Sequence, residues 1–184
     1  MIRILALLSV LICAAPAIAQ PLPAGLDPQN TILIDTKHGR IVIKLRNDLA
    51  PKHAERLKTL TREKFYDNVP FHRVMDGFMA QTGDGERGDG RGKSKYPDLQ
   101  AEFSRVPFTR GVVGMARGAH SIHSANSQFF IMYAENAGLN GQYTVVGEVV
   151  SGMDVADKLK KGPRERDGVV TNPDKIVRAT AGGS

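Results

Sequence analysis

Residues 71–84 read Phe71-His-Arg-Val-Met-Asp-Gly-Phe-Met-Ala-Gln-Thr-Gly-Asp84, and the rest of the chain is organised around them. Two short extended pieces flank a turn at Asp76-Gly77, the dipeptide chemistry of tight turns. Arg73 lies on the first piece, and Phe78, Met79 and Gln81 lie on the second. Burying apolar surface needs no arginine between such groups. A site that grips an apolar ring and also polarises an amide does need one.

Outward from this stretch the signals are those of β structure. Thr31–Thr36 is a short apolar run, Lys37-His38-Gly39 a turn, and Ile41, Ile43 and Leu45 alternate with Val42, Lys44 and Arg46. A period of two marks a strand with one buried face, so the pair is expected to form an antiparallel hairpin. Pro51 suits the first turn of a helix. Ala54, Leu57 and Leu60 give that helix its buried stripe, with His53, Glu55, Arg56, Lys58 and Lys64 off it and an end near Phe65-Tyr66. Downstream, Gly111–Arg117, Gln128–Ala134 and Tyr143–Val150 read as strands. In the second of these, Gln128, Phe130 and Met132 share one face, and Phe129, Ile131 and Tyr133 the other. Ser151-Gly-Met-Asp154 has the form of a capping box, with a helix through Val155 and Leu159 after it, stopped by Gly162-Pro163. A last strand runs through Ile176 and Val177. Hairpins with two helices at separate points predict a mainly β fold, a closed antiparallel barrel with capped ends.

The 184 residues fit one domain. Arg3, the apolar run Ile4–Cys13 and Ala17-Ile18-Ala19 have the layout of a secretory signal peptide, cut between Ala19 and Gln20. The apolar run is short for a membrane anchor. The expected organisation is thus a signal peptide over 1–19, a flexible lead over 20–29 and a folded domain over 30–182, with no membrane span after processing. The expected location is periplasmic or secreted. Cys13 is the only cysteine, so the processed chain has no disulfide and its core alone must hold the fold. Lys and Arg outnumber Asp and Glu by 25 to 19, a formal charge of +6 that falls to +5 without Arg3. The cations are scattered and not interleaved with aromatics, which argues against a nucleic-acid partner.

Few catalytic constellations are on offer. There is no Gly-x-Ser-x-Gly and no cysteine nucleophile outside the leader. His120 and His123 lack a third ligand in a zinc pattern, so no metal is expected. His72 alternates onto the face away from Arg73 and reads as a packed structural histidine. The glycine-rich stretch 84–97 lacks the Gly-Lys-Ser/Thr ending of a phosphate loop and reads as an ordered, solvated surface loop. Arg87-Gly88-Asp89 inside it is an adhesion-type tripeptide, too short to carry weight. What remains is Arg73 with Phe78, Met79, Gln81, Gln128, Phe130 and Leu139. Composition alone leaves Arg73 open, as a surface residue or as a group facing a ligand carbonyl or amide.

The stretch 71–84 resembles the signature of the cyclophilins, the peptidyl-prolyl cis-trans isomerases. Ser127-Gln-Phe-Phe-Ile131 is similar to their second signature strand. Ala50-Pro51-Lys52, Phe65-Tyr66-Asp67, Gly114-Met-Ala-Arg117 and Val146–Ala156 follow in the family's order, so the resemblance spans roughly residues 30–180. It implies an eight-stranded antiparallel barrel capped by two helices. It implies Arg73 as the catalytic arginine and Phe78, Met79, Phe130 and Leu139 as the proline pocket, with Gln81 and Gln128 as supporting amides. Met115, Ala116 and Arg117 fall where the family lines its cleft with backbone groups. Tyr143 stands at the pocket rim where a histidine is common, and Gly138 where many members carry tryptophan, so weak cyclosporin binding is expected. The loop between Met115 and Gln128 is slightly longer than usual. No cofactor is implied, the partners are proline-containing polypeptides, and a monomer is expected. The rival reading is a non-catalytic module or chaperone that holds proline segments on the same barrel.

Overall fold

The computed structural model describes residues 22–181. The leader, its cleavage site, Cys13 and residue 182 lie outside the described residues. Eight strands run in chain order as β1 (Thr31–Thr36), β2 (Gly39–Leu45), β3 (Arg73–Met75), β4 (Met79–Thr82), β5 (Val112–Met115), β6 (Phe129–Met132), β7 (Val145–Ser151) and β8 (Arg178–Ala181). The helices are α1 (Pro51–Arg62) and α2 (Met153–Asp157). All pairings are antiparallel, in the spatial order β3-β4-β6-β5-β7-β2-β1-β8.

The expected hairpin is β1–β2, in register from Thr31 opposite Lys44 to Thr36 opposite Gly39. The expected eight-stranded antiparallel barrel with two helices is reached in part. The sheet curls into a half-barrel, and its end strands β3 and β8 share no ladder. Residues 168–176 run along the free side of 68–74 instead. They make isolated bridges at Pro70–Lys175 and Arg73–Val169, and single hydrogen bonds such as Phe71 N to Asp174 O at 2.8 Å. Gly168 (φ 71°) and Asn172 (φ 51°) are left-handed and Pro173 has no N–H, so this segment cannot extend into a ninth strand.

Alternation sorts the side chains into two apolar clusters. Ile32, Ile34, Ile41, Ile43, Leu45, Val113, Phe129 and Ile131 face the main core, joined by Ala54, Leu57 and Leu60 from α1. Met79, Val112, Phe130, Met132 and Val145 point to the opposite face, where Phe108 joins them. The candidate site is built on that second face, across β4, β6 and β5.

Both helix ends differ from expectation. α1 stops at Arg62, because Lys64 turns left-handed (φ 59°). His53, expected off the buried stripe, is fully buried. Glu102 reaches back 49 residues to accept from the Lys52 and His53 N–H groups at 3.2 and 3.1 Å and to bind His53 Nδ1 at 2.6 Å. The Ala50 N-cap has no side-chain acceptor of its own, so this remote carboxylate caps the helix. At α2 there is no capping box. Ser151 ends β7, and Gly152 (φ 91°) is the N-cap without a side-chain bond. A Cβ on Gly152 would lie 2.2 Å from the Arg40 carbonyl, so the close approach to β2 excludes other residues. Leu159 lies past the end of α2 but is still buried.

Candidate active site

The β3–β4 hairpin puts Arg73 directly opposite Gln81, and β4 puts Gln81 opposite Phe130. Gly77, at φ 69°, makes the turn between them possible. One cation, one amide and one aromatic ring thus share neighbouring positions because the strand period is two.

These side chains surround a cavity of about 120 Å³ lined by Arg73, Phe78, Met79, Gln81, Ala116, Arg117, Phe130, Leu139 and Tyr143. Pockets for drug-sized ligands run to roughly 300–1,000 Å³, so this one suits a single side chain. Leu139 comes from the 3₁₀ turn Ala137–Leu139, held by the Asn136 side chain accepting from Gly138 N. Two residues expected at the site do not line this cavity with their side chains, although Gln128 touches Gln81 from the cavity next to it. Met115 is buried in the main core, and its N–H donates to Thr144 O at 2.9 Å. Gln128 lines the adjoining, larger cavity with Gly90, Gly92, His120 and Asn126.

The cavity floor depends on a residue that the sequence did not flag. Phe108, fully buried, stacks on Phe130 with ring centroids 5.7 Å apart, and Tyr143 meets Phe130 edge-on at 5.7 Å. The stack needs Gly114 beneath it, since a Cβ there would come within 2.4 Å of Phe130 and 2.6 Å of Phe108. Phe108 sits alone between Pro107 and Thr109, outside any periodic run, so no pattern singled it out.

The polar side is a chain of hydrogen bonds. Arg73 Nη1 donates to Gln81 Oε1 at 3.3 Å, and Gln81 Nε2 donates to Gln128 Oε1 at 2.9 Å. Gln128 Nε2 donates to the carbonyls of Gly90 and Gly92, at 2.9 and 2.8 Å. Those carbonyls are fixed because buried Asp84 accepts from the backbone N–H groups of Arg87, Asp89, Gly90 and Gly92. Burial alone would raise the Asp84 carboxyl, but the backbone donors outweigh it and hold it below the usual carboxylate range. The glycine-rich stretch is therefore wrapped around an anion of its own, as the back support of the site.

Arg73 has one more partner, also missed. Its Nε donates to Asp167 O at 2.9 Å and its Nη2 to Asp167 Oδ1 at 2.7 Å. Asp167-Gly168 is a turn dipeptide, a signal that marks a bend without naming what it faces. Arg117, the second cation of the cavity, lies 4.6 Å over the Tyr143 ring and donates to Gln142 O at 3.1 Å. His72 is buried against Gly90, and burial pushes it below the usual imidazole range, which keeps it neutral. Among the described residues no group of three or more His, Cys, Asp or Glu could hold a metal ion, and no helix is long and apolar enough to cross a membrane.

Residues 31–181 match the family model described as cyclophilin type peptidyl-prolyl cis-trans isomerase. The chain belongs to the cyclophilin-type peptidyl-prolyl cis-trans isomerases. A Brucella suis protein named "Probable peptidyl-prolyl cis-trans isomerase" is 54% identical over 167 residues, 85% of each chain. Peptidyl-prolyl cis-trans isomerase B of Escherichia coli is 40% identical, over 80% of this chain and 96% of its own. The crystal structure of a cyclophilin from Hirschia baltica superposes with a TM-score of 0.75 at 26% identity, covering 85% of this chain and 75% of that one. As a cyclophilin, the chain isomerises X–Pro peptide bonds, and the cavity must be judged against that reaction.

Proposed function

We propose that Arg73 is the catalytic group of this isomerase and that the apolar cavity beside it seats the proline ring of an extracytoplasmic polypeptide. A peptide bond resists rotation by roughly 18–20 kcal/mol because the nitrogen lone pair is shared with the carbonyl. X–Pro bonds take tens to hundreds of seconds to isomerise unaided, slow enough to limit folding. Rotation breaks no bond and calls for no nucleophile. It localises the lone pair on the prolyl nitrogen, and a guanidinium donor aimed there binds the twisted state better than either planar one.

The observation that carries this reading is the joint presence of a braced arginine and a cavity the size of one residue. Phe78, Met79, Phe130, Leu139 and Tyr143 supply the apolar wall. Ala116 and Arg117 border the same cavity, where the bound chain would run. The decisive experiment is cis-to-trans conversion of an X–Pro peptide by wild type and Arg73→Ala. The variant should lose about a hundredfold in kcat/KM, the scale of removing one preorganised donor. Equal rates would sink the mechanism.

The leader-like residues 1–19 support export and a role in folding extracytoplasmic proteins. Cell fractionation with N-terminal sequencing tests this, the expected result being a soluble exported chain beginning at Gln20. The Gly138 position, with no side chain on the Ala137–Leu139 turn, supports weak cyclosporin binding. A Cβ there would lie 3.1 Å from Asn136 Oδ1, so Gly138→Trp requires that side chain to give by a few tenths of an ångström, and the added ring should tighten cyclosporin binding.

A further inference from the structure

We propose that Asp167 is a positioning residue for Arg73, holding the guanidinium plane from outside the proline cavity. This rests on the reading of Arg73 as the group that donates to the prolyl nitrogen. A guanidinium carries five N–H groups in a rigid fork. Asp167 takes two of them, Nε–H with its backbone carbonyl at 2.9 Å and one Nη2–H with its carboxylate at 2.7 Å. Gln81 takes one from Nη1. Three oxygen anchors on three different nitrogens fix the plane; Nη1 also reaches Met79 Sδ at 4.0 Å, and one N–H on Nη2 is left over.

Asp167 is itself held in place. It ends the 3₁₀ turn Arg164–Arg166 in the left-handed region, φ 53° and ψ 32°. That conformation lets the carbonyl and the carboxylate of one residue meet one guanidinium. The flanking backbone is laced to β3 on both sides of Arg73. Val170 N donates to His72 O at 3.0 Å, Val74 N to Gly168 O at 2.8 Å, and Gly162 N to Val74 O at 2.8 Å. A Cβ on Gly168 would lie 3.1 Å from both the Met75 Cβ and the Val74 carbonyl, so the loop has little room to shift. The Asp167 side chain is 72% exposed. An ion pair so open to solvent contributes little to global stability. Its effect therefore belongs in the rate, through an arginine oriented before substrate arrives.

Two substitutions separate orientation from fold. Asp167→Gly keeps the left-handed backbone and the carbonyl anchor but removes the carboxylate. Asp167→Asn keeps an oxygen acceptor without the charge. Isomerisation of an X–Pro peptide by the full chain should show kcat lowered about fivefold for Gly and less for Asn, with KM and melting temperature unchanged. The Arg73 side-chain Nε–H resonance should move in the same order. Wild-type kcat in Asp167→Gly would overturn the proposal, and so would a loss confined to KM or to stability. A faster variant would overturn it too, by showing that the carboxylate competes for Arg73. Arg73→Ala measured alongside distinguishes the failures. If it stays fully active the arginine reading falls, whereas an inactive Arg73→Ala with an unaffected Asp167→Gly removes the positioning role alone. Should the Gly variant not fold, the Asn variant carries the same comparison.

Discussion

Gln81 and Gln128 are joined by a 2.9 Å hydrogen bond that connects the glycine-rich loop to the Arg73 guanidinium. The oxygen of Gln81 is committed to Arg73 and its nitrogen to Gln128, whose own nitrogen is committed to the Gly90 and Gly92 carbonyls. Each amide is thus oriented by its neighbour, and neither can flip without breaking two contacts.

Gln128→Ala tests whether that connection matters. It removes the acceptor for Gln81 and both donors to the loop, while its position beside the larger cavity leaves room for the change. The expected effect is a loss in kcat/KM of about tenfold, the scale of one or two hydrogen bonds, with little change in melting temperature. Peptide isomerisation measured beside a thermal melt checks both halves.

The cavity floor makes a different prediction. Gly114→Ala places a methyl where Phe130 and Phe108 now lie, within 2.4 and 2.6 Å. One ring must move, at about 1–3 kcal/mol of overpacking. Because Phe130 faces the cavity, the displacement should appear as a raised KM as well as lowered stability. Phe108→Ala removes a fully buried ring and should cost about 3–5 kcal/mol. Denaturant unfolding and peptide kinetics on the two variants provide the check.

The reach of the sequence can be judged from these same residues. The near wall was legible because Arg73, Phe78, Met79 and Gln81 lie within one hairpin, where a turn dipeptide and a period of two fix their relations. Phe130 was legible because β6 is apolar on both faces, so alternation split it into Phe129 and Ile131 for the core and Phe130 and Met132 for the site. Asp167, Phe108 and the His53–Glu102 pair were not, since each works through a partner tens of residues away, and Asp167, Phe108 and Glu102 lie in segments with no period. The lack of a ladder between β3 and β8 was hidden for a related reason. Strand count alone cannot say whether the last strand extends far enough to pair with the third.

Glu102 illustrates how much such a hidden contact carries. Burial would raise its carboxyl, yet His53 and the helix N–H groups outweigh that and hold it below its ordinary range. Glu102→Ala strips the N-terminus of α1 of its only side-chain cap and leaves the buried His53 ring without its partner. The expected cost is about 2–3 kcal/mol. For a chain of this size that lowers the melting temperature by about 5–10 °C. Glu102→Gln, which keeps an oxygen for the helix, should lose less, and calorimetry of the two variants checks the order.

Acid sensitivity should centre on Asp174. This buried carboxylate binds Lys37 Nζ at 2.6 Å, His38 Nε2 at 2.9 Å and the Lys160 N–H at 2.9 Å. Burial pushes it up, but Lys37, the Lys160 N–H and His38 together pull it down to about 2. A carboxyl depressed in the folded state stabilises above its unfolded value, near 4, and that contribution drains away as pH falls towards about 2. The full effect is on the order of 2 kcal/mol, trimmed by salt because Lys37 is exposed. Asp174→Asn should therefore lower stability at neutral pH and flatten its slope between about pH 5 and 2. Urea unfolding of both proteins across that range decides the matter, since parallel curves would assign the acid transition to other carboxylates.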